Sequence, residues 1–410
     1  MKTFDQNLEK YAELIVKVGV NVQPGQEVFV VANTEMTTLA RLIARKAYEA
    51  GSANVQVDWS DEALTRLKYE HAPDELFTRF PEWEVAKRDA FLDKGAAFIS
   101  ISSPNPDLLK DIDLKRIGNY QKTAGKALER FRRYMQSNKV SWTVVAAATK
   151  DWAVKVYPDA GPEEAVSKLW EAIFKAVRLH AEDPVQAWKE HDATLHEKVK
   201  ILNSKKFHKL HYIAPGTDLT IELPENHLWV GAGSINEKGI PFMANMPTEE
   251  VFTAPHKHGT NGYVSSTKPL NYGGNVIDRF KLTFENGRIV KVEAEQGQEI
   301  LQQLVDSDEG SHYLGEVALV PHESPISQSN TLFFNTLFDE NASNHLAIGS
   351  AYAFNLAGGQ SMSKEELEQK GLNHSLTHVD FMIGSAEMDI DGIQEDGTVV
   401  PVFRKGNWAI

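Results

Sequence analysis

The sequence contains no cysteine. That excludes disulfides, thiolate metal sites, iron–sulfur clusters and a cysteine nucleophile. Long apolar runs are missing as well: the longest, such as residues 140–148, fall far short of the roughly 20 residues that span a bilayer. The opening MKTFDQNLEKYAELIVKVGV spreads charge along its length and lacks the apolar stretch of about 7–15 residues that marks a signal peptide. Two N-x-S triplets, at 341–343 and 373–375, therefore carry little weight as glycosylation sites. Basic residues are in deficit, with 43 Lys and Arg against 57 Asp and Glu, for a net charge of −14. An acidic chain repels phosphate backbones, so no nucleic-acid partner is expected. These absences together predict a soluble, cytoplasmic protein with no membrane partner.

Familiar one-motif signatures are lacking too. The sequence has no Gly-Lys-Ser/Thr phosphate loop, no G-x-S-x-G elbow and no His-Glu-x-x-His helix. Its nearest approach to a dinucleotide fingerprint, GAGSIN at 231–236, lacks the third glycine and sits among strands.

What is present is an ordinary globular composition, 42% apolar and 24% charged over 410 residues, enough for two or three domains. In the first half, helical spacing at 4–18, 36–50, 60–69, 83–93 and 114–136 alternates with short apolar runs at 27–32, 53–59, 96–100 and 141–147. That alternation predicts an α/β domain with a mainly parallel, helix-covered sheet over residues 1–200. The second half is richer in strand and turn signals. Asn286-Gly287, flanked by 280–284 and 288–294, predicts a hairpin with a type I′ turn. Residues 201–410 are expected to form an α+β domain with mainly antiparallel strands.

Histidine is concentrated there, with four of its fourteen copies before residue 205 and ten after. Four strings combine imidazoles or carboxylates with apolar surroundings. In NHSLTHVDFMI, a strand over 378–382 would place His378 and Asp380 on one face, because side chains alternate with period two. In DENASNHLAIGSAY, a helix starting near Asn344 and capped by Asn341 or Ser343 would put His345 and Tyr352 on one face two turns apart. In GEVALVP, Glu316 opens an apolar strand, where an unpaired charge is costly and a cation would resolve the conflict. In MPTEEVFTAP, Glu249 and Glu250 face opposite ways if extended, so at most one of them reaches a given site. Each string also has a plain reading: a His–Asp hydrogen bond at a strand end, a capped surface helix, or solvated carboxylates. Jointly they supply the donor set of a two-metal hydrolytic centre, in which paired cations lower the pKa of a water and polarise a carbonyl.

The strings PTEEVFTAP, GEVALVP, NASNHLAIGSAY and HSLTHVDFMIG, with the opening YAELIVKVGVNVQPGQ, resemble those of the aminopeptidase T / AmpS / PepS family of dinuclear metalloaminopeptidases, in order and spacing across essentially the whole chain. The resemblance implies a cytoplasmic exopeptidase that removes N-terminal residues with broad preference. It implies two divalent cations per subunit (zinc, cobalt, manganese or magnesium) and a homodimer whose sites open into an internal cavity. Carried over, the ligands are Glu250, Glu316, His345, His378 and Asp380, with Glu340 as a sixth and Tyr352 beside the metals. Glu316 is expected to bridge the cations and Tyr352 to donate to the tetrahedral oxyanion. The general base stays open among Glu249, Glu340 and Glu316. Two rival readings remain at this point: a small-ligand-binding protein with a structural metal, and a metal-dependent amide hydrolase acting on blocked substrates.

Overall fold

The structure, a computed structural model, describes residues 3–272 and 275–410. The chain forms two compact units. One contains the residues up to Glu190 together with Gly233–Pro247, and the other contains His191–Ala232 and Thr248–Ile410. The division thus falls inside the helix Pro184–Lys205, and the second crossing inserts a short segment back into the first unit.

The first unit is built on a five-stranded parallel sheet. Its strands β1 (Glu27–Asn33), β2 (Asn54–Ser60), β3 (Ala97–Ser102) and β4 (Trp142–Ala146) lie in the order β4-β3-β1-β2, with Asn245–Met246 added beside β4. Central strands covered on both faces need continuous apolar runs, and β1 supplies one in Val28, Phe29 and Val30, each fully buried. Edge strand β2 has no fully buried residue and is exposed at Asn54, Gln56, Trp59 and Ser60. The helix expected over 114–136 is two helices, Leu114–Ala127 and Glu129–Gln136, because Leu128 leaves the helical conformation (φ −96°, ψ 19°).

The second unit pairs a nine-stranded sheet with a five-stranded antiparallel one. In the larger sheet, Asn275–Glu285 and Arg288–Gln296 form the expected hairpin, with positive φ at both Asn286 and Gly287. The smaller sheet contains β5 (Val230–Gly231), β6 (Val251–Thr253), β7 (Leu314–Leu319), β8 (His345–Gly349) and β9 (His378–Met382), in the order β9-β8-β7-β6-β5. One face of it is apolar. Val251, Leu319, Val317, Leu346, Ile348 and Phe381 pack in a single core with Leu210, Tyr212, Phe280 and Leu282 of the larger sheet. The other face carries the charged residues.

The helix expected from Asn344 is not formed. Residues His345–Gly349 are the strand β8, paired on both sides, by β7 and β9. Every residue of β8 is buried, so its apolar run serves a central strand rather than one face of a helix. Gly349 ends it at φ 113°, a conformation closed to a helix and open chiefly to glycine. Among the described residues, no helix is long and apolar enough to cross a membrane.

Candidate metal centre

Strand alternation and register assemble the site on the polar face of the five-stranded sheet. Glu316 on β7 pairs with Ala347 on β8, and Ala347 pairs with Asp380 on β9. Cross-strand partners share a face, so the two carboxylates flank a methyl group that leaves the space between them open. His345 lies two residues before Ala347 and His378 two residues before Asp380, which puts both imidazoles on the same face. A bulge in β7 makes this arrangement compatible with the core. The β7–β8 register shifts between Leu314 and Glu316, so Leu314 packs inward opposite Ile348 while Glu316 points outward. Gly315 occupies the bulge, where a Cβ would come within 2.3 Å of the Ser350 carbonyl oxygen.

Two groups of potential ligands result, Glu250–Glu316–His345 and Glu316–His378–Asp380, and Glu316 belongs to both. Its Oε1 lies 3.5 Å from His345 Nε2, and its Oε2 lies 3.8 Å from His378 Nε2. Glu250 Oε2 is 3.2 Å from His345 Nε2, and Asp380 Oδ1 is 3.5 Å from His378 Nε2. His345 and Glu316 are only 1% and 5% exposed, so these charges sit out of bulk water.

The outer hydrogen bonds fix how the imidazoles present themselves. His345 Nδ1 donates to the Ser343 carbonyl (3.1 Å) and His378 Nδ1 to that of Ser350 (2.7 Å). A carbonyl can only accept, so each Nδ1 carries the proton and each Nε2 faces the carboxylates, the tautomer and aim found in histidine ligands. Among the described residues, His345 Nε2 and Asp380 Oδ1 are buried with no hydrogen-bond partner. Such orphaned groups are costly, and each belongs to a different group of potential ligands, where a bound cation would satisfy it.

Burial or the neighbouring charges raise the pKa of four groups of the cluster. Burial, reinforced by Asp380 and Glu250 against the two histidines, pushes the Glu316 carboxyl up to about 7. Burial and the Glu250 and Asp380 charges hold Glu340, half-buried beside the cluster, well above the usual carboxylate range. For His378, burial opposes the charged form, but Asp380 and Glu316 overcome it and raise the imidazole to about 9. Burial likewise disfavours charge on His345, and Glu250 and Glu316 outweigh it, so its pKa rises well above normal. Neutral imidazoles and carboxylates are suitable donors for divalent transition-metal cations. The residues present fit such ions.

Tyr352 reaches the site from an extended turn after β8 (φ −91°, ψ 131°), not from a helix. Its ring centroid lies 4.9 Å from that of His378. Burial and then the Glu316, Asp380, Glu340 and Glu250 charges drive its phenol pKa upward, so it remains a neutral donor. Glu249 turns the other way, with Oε2 3.5 Å from His191 Nε2, as the opposed facing of adjacent residues requires. His374 is exposed, and neither group of potential ligands includes it.

Residues 4–408 match the thermophilic metalloprotease (M29) family. The chain belongs to it. It is 63% identical over 409 residues to aminopeptidase AmpS of Bacillus subtilis (strain 168), covering 100% of both chains. It is also 52% identical over 409 residues to aminopeptidase 2 of Geobacillus stearothermophilus, covering 100% of this chain and 99% of that one. Its fold is similar to that of wild-type AmpT from Thermus thermophilus, with a TM-score of 0.94, 43% identity and full coverage of both chains. As a metalloprotease of this family the chain uses a divalent metal cofactor and acts on peptides. This removes the reading as a binding protein with a structural metal.

Several residues that shape this metalloprotease site carry no local sequence signal. Asn341 accepts from the Glu249 N–H (2.7 Å) and donates to the Leu337 carbonyl (3.0 Å), holding the segment before β6. Asp308 accepts from Leu376 N–H (2.6 Å), Ser375 Oγ (2.8 Å) and Ser311 N–H (2.8 Å), and so clamps the loop that leads into His378. Asn373 joins that loop to Gly349 at the end of β8, donating to its carbonyl (2.7 Å). The bonds of Asn341 to Glu249, of Asp308 to Ser375 and Leu376, and of Asn373 to Gly349 link residues distant in sequence, and no spacing rule would have found them.

Proposed function

We propose that the chain is an aminopeptidase that removes the N-terminal residue from peptides with broad preference, using two divalent cations held by Glu250, Glu316, His345, His378 and Asp380, with Glu340 as the sixth ligand. The observation that carries the two-cation reading is Glu316, whose oxygens are directed at different histidines, each backed by its own second carboxylate.

When bound, such cations would supply an activated water and polarise the scissile carbonyl. The protein's own groups do the rest. Glu316 fixes the two halves of the site relative to each other, because the buried run of β7 behind it leaves no freedom to move. Tyr352, neutral and close to His378, donates a hydrogen bond to the oxyanion that forms at the attacked carbonyl and keeps its proton. The Ser343 and Ser350 carbonyls keep the two imidazoles turned toward the site. Zinc, cobalt, manganese and magnesium are the candidate ions. A cytoplasmic location and a homodimer belong to the same proposal.

The test compares leucine amide with N-acetyl-leucine amide, with and without a chelator. Turnover of the free amide alone, lost on chelation and restored by added cation, is expected. Equal turnover of the acetylated compound would instead make the protein a hydrolase of blocked amides.

A further inference from the structure

Beside the charged cluster lies a group of aromatic rings that its chemistry does not use. Phe252 on β6 pairs with Ala318 on β7, which in turn pairs with His345 on β8. The ring therefore projects from the same face as the ligand set, two residues beyond Glu250, with only the short Ala318 side chain between it and the imidazole. Phe354 stacks on Tyr352 at a centroid distance of 5.1 Å with planes 8° apart. Phe252 meets both rings edge to face, at 6.4 Å from Tyr352 and 6.1 Å from Phe354. A continuous aromatic surface thus runs from His378 through Tyr352 and Phe354 to Phe252.

Two features distinguish this surface from ordinary core. First, Phe252, Tyr352 and Phe354 are all only partly buried, although the sheet's other face is sealed. Second, the turn that carries Phe354 is fixed. Asn355, itself buried, donates to the Leu228 carbonyl (3.2 Å), and its own carbonyl accepts from Leu228 N–H (2.7 Å). Rigid, partly open aromatic surface next to a few convergent polar groups is the make-up of a small-molecule subsite.

We propose that Phe252 and Phe354 form the wall that receives the side chain of the substrate's N-terminal residue, and that apolar and aromatic residues are preferred there. This rests on the aminopeptidase reading above. Hydrolysis requires the scissile carbonyl and the free amino group at the ligand cluster, and both are bonded to the Cα from which that side chain leaves. The aromatic surface adjoins the cluster through Tyr352, whose ring lies 4.9 Å from that of His378, and its phenylalanine rings offer no ion pair to an acidic or basic side chain. The preference is graded, because a pocket gains only modestly from each added methylene.

The experiment measures kcat/KM of the metal-loaded enzyme for leucyl, glycyl and glutamyl amides. Wild type should favour leucyl over glycyl substrate. Phe252→Ala should lower the leucyl-to-glycyl ratio by about tenfold or more with metal content unchanged, and Phe252→Leu should recover most of it. Phe354→Arg should raise the glutamyl-to-leucyl ratio, and it tests the wall independently should Phe252→Ala fail to fold. Ratios that stay constant in soluble, metal-loaded variants would overturn the proposal, as would a wild type indifferent to the side chain. A wild type that hydrolyses none of the free substrates would instead defeat the aminopeptidase reading itself.

Discussion

Burial, and after it the charges of Glu316, Asp380, Glu340 and Glu250, keep the phenol of Tyr352 protonated, so it acts as a donor. Tyr352→Phe should therefore lower kcat and kcat/KM together by roughly two to three orders of magnitude, with metal content unchanged by elemental analysis. Near-normal kcat with a lowered melting temperature would make the residue a packing element. The two histidines of the 374–378 string differ in the same residue-by-residue way. His378→Ala should abolish activity and reduce bound metal, because its Nε2 is aimed at Glu316 and Asp380. Exposed His374 should tolerate alanine. The reverse outcome would mean that the imidazole facing the ligand set has been misassigned. At this scale the sequence was most informative. His378 and Asp380, two apart in a β-branched and aromatic run, declare a shared strand face, and Glu316 declares itself as a charge in an apolar string. Tyr352 was placed near the site by resemblance, whereas its seven-residue spacing from His345 suggested a helix. Pairing on both edges of β8 overrode that local pattern.

Between elements, the site depends on devices that no local string reveals. The β7 bulge at Gly315 lets one strand turn Leu314 to the core and Glu316 to the cluster, and its position exists only relative to β8. The opposed facing of Glu249 and Glu250 was legible, because it follows from alternation in any extended segment. Glu250→Gln should lose metal, whereas Glu249→Gln, whose wild-type carboxylate faces His191, should retain it. Equal metal content in the two variants would remove Glu250 from the ligand set. The Asp308 clamp on the loop before His378 gives a pH signature. Burial works to raise its carboxyl, but the Leu376 N–H, Ser375 and Ser311 donors outweigh burial and hold it below its ordinary value of 3.8. A depressed carboxyl contributes stability that is complete above pH 3.8 and is lost as pH falls below that toward the folded-state value. Asp308→Asn should cost about 1–3 kcal/mol near neutral pH. Its deficit relative to wild type, followed by denaturant unfolding, should shrink below pH 3.8. A deficit independent of pH would assign the effect to packing.

At the scale of the whole molecule, the parallel first unit and the antiparallel second unit follow from hydropathy alone, since strands alternating with helices and strands joined by Asn-Gly turns impose different pairings. The return of Gly233–Pro247 to the first unit was not legible, because the short strand Asn245–Met246 completes the parallel sheet only through a partner a hundred residues earlier in the chain. All the ligand candidates lie in the second unit, on one face of one sheet, and Glu316 is the point where their two groups meet. Metal stoichiometry in wild type and in Glu316→Gln is the most direct test of that arrangement. The account predicts two divalent cations per chain in the active wild type, and loss of at least one of them together with activity in Glu316→Gln. A fully active wild type with one cation per chain, or a Glu316→Gln variant that keeps two, would contradict it.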